Sequence, residues 1–459
     1  MRADPAHPMD IKHQDLAMTV LEATGRLRPY GVMVAPDTAR VFDAIEQHGG
    51  RARFVGGVVR DALLRRDLHD VDMACDLSPE ETTAALEKVG IRVVPTGIKH
   101  GTVTAITDAG AYEITTLRMD VSTDGRHAEV AFTDNWLDDA KRRDFTFNAI
   151  YCDLDGTLYD PFDGQTDLGD GRVRFIGVAE HRISEDYLRI LRFFRFQAWF
   201  GRPPIDPVGA EACRKGVSGL LDISPERIRD EVLKLLRAKS PAGTVGDMIG
   251  FGILPAILPQ LSHVANLRIM QWLDSTALAD PAIRPDPLRR LAALFKSPDD
   301  LDDSDVSANI AEEFARSLRL SNAEVDRFSA MISHAPLIEA NLNPDTVRRD
   351  LYRMGADRFR DATLLAWSMR AAVPPRCSQD ENKAWQNLVT TAANWQPVSM
   401  PIQGRDILAA KLVPAGPKMG ILLKQAEEHW LDRGCEPDRD ELMNYLASHP
   451  LVASEQETQ

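Results

Sequence analysis

The chain has 459 residues, and at roughly 150 residues per domain this length predicts about three domains. Its composition, 44% hydrophobic and 27% charged, excludes a mostly disordered protein. The formal net charge of −15 argues against a surface that is basic throughout. A nucleic-acid partner would therefore have to be bound by a local basic cluster.

Two classes of protein are disfavoured by what the sequence lacks. No apolar run reaches the roughly 18 residues that could span a bilayer, and the first residues have no apolar signal-peptide core. The five cysteines are scattered without a Cys-x-x-Cys pair, which disfavours a disulfide framework or a zinc site. These features predict a cytoplasmic protein with no membrane partner.

The predicted elements change in character along the chain. Residues 1–30 are predicted to be an extension, and a mixed region of helices and strands follows. Within it, Gly101–Ile106 and Ala111–Leu117 are β-rich runs around a turn with Asp and Gly, which predicts an antiparallel hairpin. After about residue 178 the sequence is helical, beginning with one long helix predicted at Ser184–Trp199.

A phosphate-binding turn is indicated by two adjacent glycines between a predicted strand and a predicted helix. Gly56 and Gly57 follow an apolar run, and without a Cβ they let backbone N–H groups approach an anion at a helix N-terminus. Arg60, one turn into the helix, can reach the same anion. A Gly-Gly turn alone, however, usually only connects two elements.

Metal binding is indicated by two aspartates that follow this helix. Asp70 and Asp72 are two apart, so both carboxylates lie on one face of a strand, and paired oxygen ligands suit Mg²⁺. A lone Asp-x-Asp motif usually lies on a solvent-exposed edge and binds no metal. Here it follows the predicted phosphate-binding turn in strand–helix–strand order, which makes a metal site more specific. Glu113, central in a predicted strand, is the candidate third carboxylate; the alternative is an exposed strand glutamate.

Two basic segments are further candidates for anion binding. The cations at 141–143 either clamp a phosphate or are solvated at a helix start. In the helix predicted at Ser184–Trp199, charged side chains occupy one half of the helical wheel, and a few apolar side chains lie on the same half. Surface ion pairs are one interpretation. The other is that partly buried arginines need an anionic partner such as a nucleotide triphosphate. The charged residues are Glu185, Asp186, Arg189, Arg192 and Arg195.

Four separate motifs resemble those of class II tRNA nucleotidyltransferases, the CCA-adding enzymes, whose close relatives include bacterial poly(A) polymerases. The matching segments read GGVVRD with DVD, RRDFTFNA, ISEDYLRILRFFRF and SPERIRDE, and they cover about residues 54–236. A looser similarity to the tail of bacterial members runs from Gly404 to Leu431.

The resemblance implies an α+β fold with a polymerase-β-like nucleotidyltransferase head of mixed sheet and helices, followed by an all-α neck, body and tail. The implied boundaries are 31–177 for the head, 178–240 for the neck, 241–375 for the body and 376–459 for the tail.

The resemblance also implies an activity and its residues. The activity is template-independent addition of C, C and A to the 3′ end of tRNA from CTP and ATP, with tRNA held by its 3′ end and acceptor arm. Asp70 and Asp72 would bind the catalytic Mg²⁺, with Glu113 as third carboxylate. The nucleotide-binding residues would be Gly56, Gly57, Arg60, Arg143, Glu185, Asp186, Arg189, Arg192 and Arg195.

Base selection can be derived from hydrogen-bonding chemistry without the resemblance. Cytosine and adenine both present an amino donor beside a ring-nitrogen acceptor, whereas uracil and guanine present a carbonyl beside an N–H. Asp186 can accept from the amino group and Arg189 can donate to the ring nitrogen, so this pair would admit C and A. Basic clusters at 51–66, 141–143 and 182–202 surround the proposed site, which reconciles the negative total charge with an RNA partner.

Other functions stay open at this point. Within the family, the alternatives are a poly(A) polymerase or an enzyme that adds only CC or only A. Residues 118–132 are similar to the flexible loop that full CCA-adding members use when switching from C to A, which favours the full activity. A non-catalytic RNA-binding relative would be expected to lose Asp70, Asp72 or the arginines of the predicted helix at Ser184–Trp199, but all of them are present in this sequence. A small-molecule nucleotidyltransferase would not need the long helical half.

Overall fold

The computed structural model describes residues 21–68, 70–98, 101–123, 128–275, 283–295 and 304–452. The chain divides into two compact units. The first comprises the described residues up to 258 except 239–242, and the second comprises 239–242 and the residues from 259 onwards. The finer boundaries at 30, 177, 240 and 375 stay predictions.

The first unit is built on a mixed sheet. Its strands are β1 (Gly25–Arg26), β2 (Ala52–Val55), β3 (Val71–Cys75), β4 (Arg92–Gly97), β5 (Thr102–Thr107), β6 (Gly110–Thr116), β7 (Arg118–Thr123), β8 (Ala128–Phe132), β9 (Tyr151–Cys152) and β10 (Thr157–Tyr159). Eight of them pair in the order β1-β10-β9-β2-β3-β6-β5-β4, with β3 and β6 parallel. The predicted hairpin is confirmed as β5–β6. Strands β7 and β8 pair separately, and residues 124–127 of the predicted switching loop lie outside the described residues.

Helices cover this sheet and continue beyond it. They are α1 (Pro36–Gln47), α2 (Gly57–Leu63), α3 (Pro79–Lys88), α4 (Trp136–Lys141), α5 (Gly164–Asp170), α6 (Ala179–Glu185), α7 (Leu188–Phe200), α8 (Pro207–Lys215), α9 (Pro225–Leu236), α10 (Ala242–Gly250) and α11 (Ile253–Ile257). The α3 start shows why such boundaries form: Ser78 and Glu81 cap each other's backbone N–H groups, and Pro79 occupies the first turn. The mixed sheet followed by helices confirms the predicted α+β class.

The prediction of one continuous helix over Ser184–Trp199 is wrong, because the segment forms parts of two helices. Helix α6 ends at Glu185, and Asp186 has an extended backbone, with φ −156° and ψ 106°, before α7 begins. Its Oδ1 atom accepts a hydrogen bond from the N–H of Leu188 at 3.1 Å. Aspartate interrupts a helix in this way because its side chain accepts a hydrogen bond from a nearby backbone N–H, here that of the first residue of α7. Periodicity alone does not contain this signal.

An aromatic core fixes α7 against the segment that precedes it in the chain. Phe193 stacks on Phe175 with ring centroids 5.5 Å apart, and Phe175 meets Phe145 at 4.7 Å. Phe196 meets Phe145 edge-on at 5.3 Å. All four rings are buried. Because the apolar side of α7 is held by these rings, the position of its arginines is set by core packing.

The second unit is helical throughout its described part. Its helices are α12 (Val264–Ser275), α13 (Pro287–Leu294), α14 (Ser304–Ser317), α15 (Asn322–His334), α16 (Pro344–Met354), α17 (Ala356–Ala372), α18 (Gln379–Ala393), α19 (Gly404–Ala409), α20 (Pro417–Asp432) and α21 (Arg439–Ala447). Buried ion pairs join them, including Arg289 with Asp274 at 3.1 Å and with Asp361 at 2.7 Å. Within the described ranges, each helix is too short or too polar to cross a membrane.

Candidate active site

A cavity of about 490 Å³ in the first unit brings together side chains from all four sequence motifs. Nine of the twelve predicted site residues line it, while Asp70, Glu113 and Glu185 do not. The lining residues are Gly56, Gly57, Arg60, Asp72, Arg142, Arg143, Asp144, Asn148, Asp186, Leu188, Arg189, Arg192, Arg195, Phe196 and Arg227.

The glycine turn lies against the carboxylate of Asp72. Gly56 has φ +71° and ψ −124°, a conformation that side-chain-bearing residues rarely adopt. A Cβ at Gly56 would stand 3.6 Å from Asp72 Oδ2 and 3.8 Å from Arg143 Nη1. A Cβ at Gly57 would stand 3.8 Å from Asp72 Oδ2. The turn therefore leaves the start of α2 open toward both a carboxylate and a guanidinium, where a metal-bound phosphate would be held.

The three predicted carboxylates belong to neighbouring positions of the sheet. Asp72 is paired in parallel register with Glu113, so their side chains lie on the same face, and Asp70 precedes β3 by one residue. Burial raises the pKa of Asp72, and the charges of Glu113 and Asp70 raise it further. Carboxylates that repel each other in this way fit a divalent cation, which would remove the repulsion. No three His, Cys, Asp or Glu side chains of the described chain form a metal-binding group, so the role of Glu113 stays a prediction.

Arg143 is anchored by a buried aspartate that the sequence analysis missed. Asp139, on α4, accepts hydrogen bonds from Arg143 Nη2 at 3.0 Å, from Arg142 Nε at 2.8 Å and from the hydroxyl of Tyr151 at 2.7 Å. Burial alone would raise the pKa of Asp139, but Arg143 and Arg142 hold it at about 2. The carboxylate thus orients both guanidiniums at the cavity wall.

This anchor predicts a loss of stability in acid. Because the pKa of Asp139 is below its ordinary 3.8 in the folded chain, its stabilisation is present above about pH 4 and is lost as the pH falls toward 2. We expect Asp139→Asn to lower the local unfolding free energy by about 3 kcal/mol at neutral pH, since it removes one partner of a buried ion pair. Hydrogen exchange at the amides of β2 and β9 measures this effect separately from the second unit.

The neighbouring Asp138 provides the matched control for this substitution. It pairs with Lys141 at 3.3 Å, and Lys141 is mostly exposed. Asp138→Asn should change the same free energy by less than about 0.5 kcal/mol. Equal protection from hydrogen exchange in both variants would contradict the assignment of the buried anchor to Asp139. So would a loss of stability in acid that is the same in Asp139→Asn as in the unmodified chain.

The arginines of α7 have acidic partners within the chain, which corrects the sequence-based expectation that they need an outside anion. Arg189 pairs with Glu185. Arg192 Nε donates to Asp144 Oδ2 at 2.6 Å. Burial disfavours the charged form of Arg192, yet Asp144 and Glu231 raise its pKa overall.

Arg195 is ion-paired as well, with its Nε 2.7 Å from Glu231 Oε2, but these two atoms are not aligned as a hydrogen bond. Burial lowers the pKa of Arg195 to about 10, despite the opposing effect of Glu231. Arg195 therefore keeps hydrogen-bond capacity and a destabilised charge, and both favour binding of an anion.

The predicted base-selecting pair lies at the junction of α6 and α7. Asp186 and Arg189 both line the cavity, and Asp186 Oδ2 accepts a hydrogen bond from Arg227 Nη2 at 2.7 Å. Arg189 Nη1 donates to the carbonyl of Arg182 at 2.8 Å. Both groups are thus held by the chain before any ligand is present, as recognition of a flat base requires.

Four buried side chains that support the site were missed. Asp144 and Glu231 contact Arg192 from positions distant in sequence, whereas Asp139 contacts Arg142 and Arg143 within about one helical turn, and no sequence pattern marks it as buried. Asn148 accepts a hydrogen bond from Arg60 Nη1 at 3.0 Å and donates one to Asp144 Oδ1 at 3.0 Å. Because Asp144 also accepts from Arg192, Asn148 links α2 to α7. Asp144 and Asn148 lie inside the RRDFTFNA motif, and Glu231 ends the SPERIRDE motif. An acidic or amide side chain within a motif was therefore the sequence feature that could have identified these three residues. Asp139 lies outside all four motifs.

A phosphate-binding turn that faces a strand carboxylate on a mixed sheet is the arrangement of nucleotidyltransferase heads, and the chain is an enzyme of this class. Residues 52–174 match the poly A polymerase head domain, residues 204–264 the RNA and SrmB- binding site of polymerase A, and residues 304–446 the tRNA nucleotidyltransferase domain 2. Nucleotidyltransferases of this kind generally use divalent metal ions.

Whole-chain comparisons agree with these matches. The mitochondrial CCA tRNA nucleotidyltransferase 1 of Homo sapiens is 34% identical over 86% of each chain. The CCA-adding enzyme of Leuconostoc citreum is 33% identical over 88% of this chain and 94% of its own. The CCA-adding enzyme of Bacillus stearothermophilus in complex with CTP superposes with a TM-score of 0.69 at 25% identity, over 92% of this chain and 100% of its own. The chain belongs to the family of CCA-adding enzymes, the CCA tRNA nucleotidyltransferases.

Proposed function

We propose that this enzyme adds C, C and A in turn to the 3′ end of tRNA, using CTP and ATP and releasing pyrophosphate. The observation that carries the proposal is the single cavity that joins Asp72 and the glycine turn to the Asp186–Arg189 pair. The names of the relatives, which are CCA-adding enzymes, support the same activity.

The side chains of the cavity favour an anionic ligand. Seven arginines and three aspartates line it, and the arginines still outnumber the acids when Asp139, Glu185 and Glu231, which pair with four of them, are counted. A triphosphate carries about −4 near neutral pH, because its terminal phosphate has a second pKa near 6. We assign the triphosphate to the end of the cavity formed by Gly56, Gly57, Arg60 and Arg143, with Arg192 and Arg195 alongside. At the other end, Asp186 and Arg189 select cytosine and adenine.

We propose that the divalent ion is Mg²⁺ and that Asp70 and Asp72 hold it; the support is the adjacency of Asp72 and Glu113 in the sheet, with Asp70 directly before β3. When bound, Mg²⁺ supplies Lewis-acid stabilisation of phosphoryl oxygens. In the reaction, the RNA 3′-hydroxyl loses its proton to solvent and its oxygen forms a bond to the α-phosphorus, while the bond between the α-phosphorus and the α–β bridging oxygen breaks and pyrophosphate leaves with that oxygen. Arg60, Arg143 and Arg195 stabilise the charge that develops on the leaving group.

The proposed RNA partner is a tRNA bound through its 3′ end and acceptor arm. The related Thermotoga maritima CCA-adding enzyme complexed with tRNA shares the fold, with a TM-score of 0.61 at 19% identity. We also propose a reducing, cytoplasmic setting, which is supported by five free cysteines, three of them buried.

A primer-extension assay tests the function. Three tRNAs ending before the first C, after C and after CC are incubated with Mg²⁺ and either CTP or ATP, and products are resolved to single nucleotides. We expect CTP to extend the first two tRNAs only as far as CC, and ATP to add one residue to the third. Long adenylate tails would instead identify a poly(A) polymerase. Absence of any extension would identify a non-catalytic relative.

A further inference from the structure

A second cavity of about 430 Å³ lies beside the candidate active site in the first unit. Arg60, Arg195 and Phe196 line both cavities, so the two meet at these side chains. The wall that belongs to the second cavity alone is formed by Asp61, Arg66, Asp67, Trp199 and Phe200.

Aromatic rings of α7 lie close to all three guanidiniums of this second cavity. Arg60 lies 4.6 Å from the ring centroid of Phe200, and Arg66 lies at the same distance from it. Arg195 lies 4.2 Å from the centroid of Phe196. A guanidinium stacked by its face keeps its N–H groups at its edge, where they suit the oxygens of a phosphate.

The hydrogen-bond capacity of the three arginines differs. Arg60 is engaged, because it donates to Asp61 through Nε and Nη2 and to Asn148 through Nη1. Arg66 makes one hydrogen bond within the described chain, at 3.2 Å to the carbonyl of Trp199. Arg195 makes no aligned hydrogen bond within the described chain, although its Nε faces Glu231 at 2.7 Å. The unused donors of the second cavity are therefore mainly those of Arg66.

The two acids of the second cavity limit how tightly it retains an anion. Asp61 is neutralised by Arg60 at 3.0 Å, but Asp67 is exposed and lies next to Arg66 in the chain. An anion is thus attracted by Arg195 and Arg66 and opposed by Asp67. This balance predicts weak and readily reversible binding of an anion.

We propose that the second cavity is the exit site for inorganic pyrophosphate, with Arg66 as its outer contact. The inference rests on the proposed function, because pyrophosphate forms only if nucleotide addition takes place. The leaving group forms among arginines that include Arg195, which lines both cavities. Once the α–β bond is broken, pyrophosphate has no tether to the base, and the next free donors are those of Arg66.

Product inhibition of the full-length enzyme by added inorganic pyrophosphate tests the proposal. Arg66→Ala should raise the inhibition constant of pyrophosphate against CTP about five- to tenfold, the effect of one lost charge-assisted hydrogen bond at a partly exposed site. The single-turnover rate of CMP incorporation and the KM for CTP should be unchanged. Arg66→Lys, which keeps the charge, should give an intermediate constant.

Arg65 provides the matched control, because it is an exposed arginine next in sequence that does not line the cavity. Arg65→Ala removes the same charge and should leave the inhibition constant unchanged. An unchanged constant in Arg66→Ala would overturn the proposal. So would an increase only in the KM for tRNA, which would assign the cavity to RNA. Failure of the proposed function is distinct, since the unmodified enzyme would then incorporate no CMP.

Discussion

Asp72→Asn is expected to reduce CMP and AMP incorporation about 10³-fold or more, because it removes a carboxylate from the proposed metal site, whose stabilisation of the transition state would be worth several kcal/mol. The side chain keeps nearly the same shape, and β3 should form as before. Single-turnover incorporation measured with saturating tRNA and Mg²⁺ reports the loss. Binding of tRNA to the variant should be retained, because the glycine turn and the arginines are unchanged.

Two further variants make this result specific to the position. Asp108→Asn removes a carboxylate from the exposed β5–β6 turn of the same sheet and should retain full activity. Glu113→Gln tests the predicted third carboxylate, and an intermediate loss would support that role. Turnover in Asp72→Asn at the rate of the unmodified enzyme would refute the assignment of the metal site.

Asp186→Ala is expected to reduce the preference for CTP and ATP over UTP and GTP about 10- to 100-fold. The variant removes one hydrogen bond to the amino group of C and A, which is worth about 10- to 100-fold in kcat/KM when the acceptor is charged. Incorporation from UTP and GTP, which present a carbonyl at this position, should not fall. Competition among the four nucleotides for one tRNA end measures the ratio directly.

The cap made by Asp186 has to be separated from its role in selection. Asp186→Asn keeps an oxygen that can accept from Leu188 N–H, so α7 should begin as before, but it places an amide donor at the base edge. We expect this variant to accept UTP and GTP better than Asp186→Ala does. If both variants discriminate like the unmodified enzyme, Asp186 does not read the base.

The sequence was informative where the chemistry is local. The Gly56–Gly57 turn and the β5–β6 hairpin are specified by neighbouring residues, and both form as predicted. Neither the start of α7 nor the ion pairing of its arginines was predictable in this way. The start depends on an extended backbone at Asp186. The ion pairing depends on Asp144, which is 48 residues before Arg192, and on Glu231, which lies in α9.

The carboxylate that begins α7 is the one that we propose reads the base, and this overlap restricts how the enzyme can evolve. A residue at 186 has to supply an acceptor to the Leu188 N–H as well as a pattern that matches the nucleobase. Ser, Thr, Asn and Asp are the side chains that cap helices well. A substitution at 186 that changes the nucleotide preference of this chain would therefore also have to keep an acceptor for the Leu188 N–H if the start of α7 is to be retained.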